Sequence, residues 1–405
     1  MHKIIPFSPP DITDSEIEAV VNVLKSGWIT SGPVNKELEE ELSKYINVKR
    51  VKLLSSATMA MELALKIFGV TEGDEVIVPA YTYASTANVA IHLGAKVVFI
   101  DAADNDFNID LEKLENAITS KTKAVIAVDV GGKPCDYDGI IKILEKKKDL
   151  FTALDTNKYQ KQLNRALFLL DAAHSIGAVY KGNRAGSQAD FSSFSFHAVK
   201  NVTTAEGGAL SFNDIGDINA DEIYKELSIW ALNGQTKSAL DKSKLGSWRY
   251  DIEVAGYKCN MSDIHAAIGL SQLRRYDDML KNRKNIVNIY NSVLSSSKKV
   301  ILPVFKDDEA ESSYHLYLLR IKDYEEADRD LLIEKMAGLG IVLNVHYLPL
   351  PFHNAYKAYN DYDNNDYKND FYLYKNEVTL PLYSTLKEED ALYIAKNVFR
   401  YLDSN

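Results

Sequence analysis

Six short apolar runs, spaced along the first two-thirds of the chain with helical patterns between them, constrain this sequence most. The runs are VKLL (51–54), DEVIVPA (74–80), AKVVFID (95–101), AVIAVDV (124–130), ALFLLDAA (166–173) and FSSFSF (191–196). Helical patterns lie between them, for example over 58–68 and 86–93. Parallel strands need a crossover, most often a helix, so the alternation predicts βαβ units and a mostly parallel sheet. Leu167–Leu170 is apolar at every position, as a strand covered on both faces requires. At 405 residues the chain exceeds the usual reach of one hydrophobic core, so two domains are expected.

The last third reads differently. A periodic segment over 261–294, with Ile264, Ala267, Ile268, Ile286, Ile289 and Val293, suggests a helix linking two domains. Strand-like YHLYLLRI (314–321) and IVLNVHYL (341–348) each lie near a helical stretch, and the tail predicts an amphipathic helix over 388–401. The expectation is a large α/β domain, 1–255, and a smaller α+β domain, 256–405. Two polar stretches, KKKDLFTALDTNKYQKQ (146–162) and NDYDNNDYKND (360–370), read as exposed loops or frayed helix ends.

Composition narrows the function classes. A net charge of −10 gives no basis for nucleic-acid or anionic-membrane binding. Two cysteines, Cys135 and Cys259, exclude a disulfide framework and a cysteine-based zinc site, and suit a reducing cytosol. The N-terminal residues lack the apolar core of a signal peptide, and no run approaches 18 apolar residues, so a cytoplasmic protein without a transmembrane helix is expected.

Ligands of open parallel sheets bind at the carboxyl ends of strands, so the residues following each run matter most. After VKLL come Ser55-Ser56-Ala57-Thr58 and a helix, a start that either binds a phosphate through backbone N–H groups or is an ordinary N-cap. After VIVPA, Tyr83 offers a ring to stack on a flat ligand, or is core. Asp171 ends a wholly apolar strand, where it needs a cationic partner or caps the next turn. In SFSFHAVKNVTTAEGG (193–208), Lys200 follows the last run; it is a surface charge, or an amine tuned for Schiff-base chemistry. Together these four meet the needs of pyridoxal 5′-phosphate (PLP): a lysine for its aldehyde, an acid at its ring nitrogen, and a phosphate site.

The motifs also carry a resemblance. SGWITSGP (26–33), SSATMAMELAL (55–65), PAYTYASTAN (79–88), DVGGKPCDYD (129–138), DAAHSIGA (171–178), SFHAVKNVTTAEGGAL (195–210), GYKCNMSDIHAAIGLSQL (256–273), VHYLPL (345–350) and VTLPLYSTLKEED (378–390) stand in one order. In these motifs the chain resembles the DegT/DnrJ/EryC1/StrS family of PLP-dependent nucleotide-sugar aminotransferases, over nearly its whole length. It is most similar to members acting as UDP-4-amino-4-deoxy-L-arabinose–oxoglutarate aminotransferases.

The resemblance implies a fold-type-I, aspartate-aminotransferase-like PLP-dependent transferase. It makes Lys200 the lysine that holds PLP and shuttles its proton, with Asp171 at the pyridine nitrogen and Tyr83 on the ring. Ala57, Thr58 and Met59 hold the phosphate, with Ser195 adding a hydroxyl. Asn260 reaches the phosphate from a partner subunit, so a homodimer is implied. His174 lies near the cofactor, and Thr30, His346 and Tyr347 are substrate-binding candidates. The implied substrates are glutamate or 2-oxoglutarate and a keto-sugar nucleotide, aminated at C-4 for a surface polysaccharide such as lipopolysaccharide. C-3 amination, a sugar dehydratase and a non-catalytic regulator are the alternatives; relatives that dehydrate carry histidine where this chain has Lys200. A Rossmann dehydrogenase lacks support because no G-x-G-x-x-G follows the first run, and no carboxylate-histidine set has metal-ligand spacing. Two departures stand out: the usual Gly-Thr of the phosphate loop is Ala57-Thr58, tolerable if φ is negative there, and the segment before ALFLLD is about ten residues long in excess, which predicts an enlarged surface loop.

Overall fold

The computed structural model describes residues 4–242, 246–359 and 364–404. Helices α1 (Asp14–Ser26) and α2 (Pro33–Ile46) precede strand β1 (Arg50–Leu54). Then come α3 (Ala57–Phe68), β2 (Glu75–Pro79), α4 (Ala84–His92), β3 (Lys96–Ile100) and β4 (Thr122–Val128). Helix α5 (Lys158–Leu163) leads into β5 (Leu167–Asp171), β6 (Phe191–Ser195) and β7 (Gly208–Phe212). The seven strands form one sheet in the order β1-β7-β6-β5-β4-β2-β3. All six predicted runs are strands of this sheet. The seventh, β7, alone opposes the others and pairs with both β6 and β1. It escaped prediction because it opens on Gly208 and carries Ser211, so neither alternation nor a continuous apolar run marks it.

The apolar runs are explained by burial on both faces. Leu167 and Leu169 pack toward α3, whereas Phe168 and Leu170 pack toward α2 and the helix α6 (Asp263–Arg274). Each such side chain contributes on the order of 1.5–3 kcal/mol over leaving it in water.

The periodic segment 261–294 is two helices, α6 and α7 (Tyr276–Leu294). They break at Arg275, whose guanidinium is held by Glu16 at 2.9 Å and Asp11 at 3.1 Å. Helix α6 packs on α1 and α2, and α7 packs on the C-terminal helix. A second, three-stranded antiparallel sheet follows: β8 (Val300–Ile301), β9 (Tyr317–Ile321) and β10 (Glu377–Leu380). Helices α8 (Glu326–Gly338), α9 (Lys368–Asn376) and α10 (Glu388–Ser404) complete the fold. Ile5 and residues from Ile286 to Leu402 make a separate apolar cluster.

Four expectations need correction. YHLYLLRI becomes a strand only at Tyr317, because Tyr314 takes a left-handed φ of 55° and turns the chain first. IVLNVHYL keeps the buried alternation of Ile341 and Leu343 but forms only isolated bridges, to Ile5 and Thr379. Pro349 and Pro351 deny donors to any continuing ladder. The 146–162 stretch is not merely a surface loop: it ends in α5, where Tyr159 and Gln160 are buried. Residues 360–363 lie outside the described residues, but 364–370 are helical, and Asp370 is buried. Among the described residues no helix is long and apolar enough to cross a membrane.

Candidate active site

The carboxyl ends of β1, β2, β5 and β6 open onto a cavity of about 350 Å³. Ala57, Thr58, Tyr83, Asp171, His174, Ser195, Lys200, His346 and Tyr347 all line it. Nine of the twelve site residues expected from the sequence therefore converge. Met59 does not line it, and Thr30 and Asn260 face a second cleft of the same chain, beside Lys52 and Tyr224.

One end of the cavity is the start of α3. Ser56 is its N-cap, and Ser56 Oγ accepts the Met59 N–H at 3.1 Å, so that amide is already engaged. Ala57 is the first helical residue and is not left-handed, so its extra methyl meets no backbone strain. Ser193 Oγ on β6 donates to the Ala57 carbonyl at 3.0 Å. Ser195, two residues on, shares that strand face and lines the cavity, while Phe194 and Phe196 point into the core. Below this start runs β7. A Cβ on Gly208 would lie 2.3 Å from both the Ala57 nitrogen and the Ser56 carbonyl carbon. Ala205, with φ 68°, turns the chain back, and Gly207 and Gly208 allow close approach of the backbone.

Asp171 ends β5 and is 3% exposed. Its Oδ2 accepts from Thr86 Oγ1 at 2.9 Å and its Oδ1 from the Ala173 N–H at 3.2 Å. Thr82 joins the chain by a 2.8 Å hydrogen bond to Thr86. Burial raises the carboxyl above its usual range, and these bonds and the Lys200 charge oppose that rise. Lys200, half-buried, follows a turn closed from its N–H to the His197 carbonyl at 2.9 Å. Burial lowers its amine to about 8, against the pull of Asp171. Amine and carboxylate thus face one space, and each shifts toward its neutral form.

His174 is fixed from behind. The Gly131 N–H donates to its Nδ1 at 3.3 Å, so the ring proton sits on Nε2, 3.3 Å from Tyr347 Oη. Gly131 reaches that position at φ 65°, which glycine adopts without cost. His315, which the sequence did not single out, lines the cavity with its ring 4.3 Å from that of His174. Its Nδ1 donates to Asn201 Oδ1 at 2.9 Å, next to the cavity lysine. Burial holds both rings neutral, well below the ordinary histidine value. Thr82, Thr86 and His315 escaped notice because a polar residue inside an apolar or small-residue stretch carries no spacing signal. Tyr83 is 65% exposed at the cavity mouth. The His346–Tyr347 peptide is cis.

These residues fit PLP. Asp171 is a buried carboxylate with room for a ring N–H, Lys200 is an amine partly neutral near pH 8, and the amides opening α3 sit by the Ser195 hydroxyl over a Gly208 cradle.

Known proteins share the whole chain. Protein MJ1066 of Methanocaldococcus jannaschii is 36% identical over 99% of this chain and 98% of its own. SpsC of Bacillus subtilis, a spore coat polysaccharide biosynthesis protein, is 37% identical over 95% of this chain and 94% of its own. Among solved structures, Spr1654 of Streptococcus pneumoniae, assigned as a sugar aminotransferase and solved in its PLP form, is 45% identical over 99% of both chains with a TM-score of 0.94. PseC of Helicobacter pylori, an aminotransferase of pseudoaminic acid biosynthesis, is 27% identical over the full length of both with a TM-score of 0.87. Residues 10–399 match one family as a unit, and with that match the chain belongs to the DegT/DnrJ/EryC1/StrS aminotransferase family.

Proposed function

We propose that this enzyme is a PLP-dependent sugar aminotransferase that moves an amino group from L-glutamate to C-4 of a UDP- or dTDP-linked 4-keto sugar, in making a surface polysaccharide. The observation that carries the reading is the meeting of the Lys200 amine and the Asp171 carboxylate in one cavity, with the start of α3 at one end. SpsC and PseC, named for polysaccharide and sugar-acid synthesis, support the substrate class.

The residues take distinct parts. Ala57, Thr58 and Ser195 hold the phosphate, and Tyr83 covers the ring. Asp171, kept charged by Thr86 and the Ala173 amide, keeps the ring nitrogen protonated. PLP, when bound, supplies an electron sink for the carbon that loses its proton. Lys200, once released, carries that proton, and its lowered affinity suits a group that must both take and give it near neutral pH. His346 and Tyr347 contact the substrate.

The enzyme acts as a cytoplasmic homodimer in this reading. Asn260 and Thr30 border a cleft apart from their own chain's cavity, which supports their serving a partner's. The division into units 1–255 and 256–405 is part of the same proposal; the separate cluster of Ile5 and residues from Ile286 to Leu402 supports a C-terminal unit, although α6 packs on α1 and α2.

Purified enzyme is expected to be yellow, with a visible band that borohydride fixes, that Lys200→Ala removes and that glutamate bleaches. A colourless protein that takes up no PLP overturns the assignment of the site. Screening keto-sugar nucleotides against the glutamate-treated enzyme identifies the acceptor; a 3-amino product would move the reaction to C-3. Mixing inactive Lys200→Ala and Asn260→Ala subunits should restore about a quarter of the activity if Asn260 serves its partner, since half the dimers are hybrids with one intact site.

A further inference from the structure

His346 enters the cavity with its ring held from behind by strand β10. Its Nδ1 lies 2.8 Å from Thr379 Oγ1. Thr379 also hydrogen-bonds Glu377 Oε1, and Glu377 Oε2 accepts the His346 backbone N–H at 2.9 Å. Glu377 and Thr379 are wholly buried and two residues apart, so both point to one face of the strand. Phe7 stacks on the imidazole at 5.6 Å. Nε2 has no protein partner among the described residues, and the ring lines the cavity.

A threonine hydroxyl has one hydrogen, which makes this chain directional. An ionised Glu377 only accepts, so Thr379 donates to it and must accept from His346 Nδ1–H. Nε2 then offers a lone pair to the cavity. A protonated Glu377 reverses both side-chain bonds: the carboxyl donates to Thr379, Thr379 donates to Nδ1, and Nε2 carries the proton. We propose that Glu377 and Thr379 form a hydrogen-bond relay that sets which ring nitrogen of His346 bears the proton, so that the substrate end of the cavity presents an acceptor or a donor as Glu377 loses or gains its own. The acceptor form suits a sugar hydroxyl, and the donor form a carboxylate of the amino donor. The inference rests on the reading that His346 faces the substrate.

The surroundings of Glu377 let both forms occur. Burial pushes its carboxyl up to about 8, opposed by Thr379, by the His346 amide and by the Arg329 charge from α8. Arg320 stands opposite it in the β9 register, but its guanidinium bonds to Asn376 and Asn105. Tyr81 and Tyr347 lie close enough to feel its charge, though their hydroxyls bond to the His346 carbonyl and to His174, and each is raised above the ordinary tyrosine range, chiefly by burial. His346, lowered to about 3 by burial and Lys200, adds no charge.

Nitrogen NMR of the holoenzyme with 15N-labelled histidine tests the relay, with His346 assigned by its loss in His346→Gln. The expected result is a change from Nε2–H to Nδ1–H as the pH rises from about 6 to about 9. Glu377→Gln must keep its oxygen toward the His346 amide, which turns its NH2 toward Thr379 and locks Nε2–H at every pH. Thr379→Val uncouples the tautomer from Glu377, and Thr379→Ser restores the coupling. A His346 tautomer that stays constant with pH and is unchanged in Glu377→Gln overturns the relay. Thr379→Val should also raise KM for the keto-sugar nucleotide about tenfold with kcat within about twofold. An unchanged KM beside the expected NMR result leaves the relay standing and removes His346 from the substrate site.

Discussion

Thr86 Oγ1 donates to Asp171 Oδ2 across 2.9 Å, joining the first turn of α4 to the end of β5. Thr86 is fully buried, so no water replaces it if it is lost. Thr86→Val keeps the shape and deletes the donor. A hydrogen bond to a charged group contributes about 1.5–3 kcal/mol, so PLP binding should weaken about tenfold or more. The Asp171 pKa, already raised, climbs further, so the carboxylate is lost first at the acid end and the defect is larger at about pH 6 than at about pH 8. Titrating the visible band with PLP at both pH values measures this, and Thr86→Ser should restore binding.

Two neighbouring small residues should respond in opposite senses. Gly208→Ala drives a Cβ to 2.3 Å from backbone atoms of Ser56 and Ala57, and neither chain can yield without moving the start of α3. A cost of about 1–3 kcal/mol and weaker PLP retention are expected. Ala205→Gly relieves a left-handed alanine at φ 68° and should stabilise the fold by about 1 kcal/mol. Thermal unfolding of the cofactor-free protein compares them.

These cases show what could be read from the sequence. Six strands were legible because burial on both faces forces continuous apolar runs, and the residues closing those runs, Asp171 and Lys200 among them, meet where an open sheet binds its ligands. His315 was not legible: it reaches the cavity because Tyr314 turns the chain and Asn201 holds its ring, and both facts come from packing across the two sheets. Glu377 and Thr379 read only as strand residues, since a hydrogen-bond chain leaves no periodicity. The part of α5 was hidden as well, because Lys158–Leu163 is mostly polar and only Tyr159 and Leu163 pack against the core.

That short helix supports the site from a distance. Gln160 Nε2 donates to the Phe68 carbonyl at 2.7 Å, and Asn157 Nδ2 donates to the Ile67 carbonyl at 2.9 Å. Both carbonyls belong to the last turn of α3, which has no further intrahelical donors. Gln160→Ala leaves the Phe68 carbonyl buried without this donor and should cost about 1–3 kcal/mol in stability. The start of α3 is about three turns away and keeps its own contacts with Ser193 and Gly208. Denaturant unfolding should therefore show the loss while the rate of glutamate-driven bleaching stays within about twofold of the parent.

The lowered Lys200 pKa predicts how the cofactor-free enzyme captures PLP. Only the neutral amine attacks an aldehyde. With its pKa near 8, about a tenth of the amine is neutral at pH 7, against well under a hundredth for a solvated lysine. The sign also has a stability consequence: between about 8 and 10.5 the unfolded chain holds the proton that the folded chain has released, so this site destabilises the fold at neutral pH and ceases to do so as pH rises through that window. Stopped-flow capture of PLP should accelerate through about pH 8 and then level off. A rate still climbing steeply toward pH 10.5 would mean that Lys200 is solvated. Asp171→Asn separates the causes. Removing the carboxylate takes away the one contact that favours the ammonium, so the midpoint should move below 8, whereas a midpoint moving upward would contradict burial as the dominant influence on the amine.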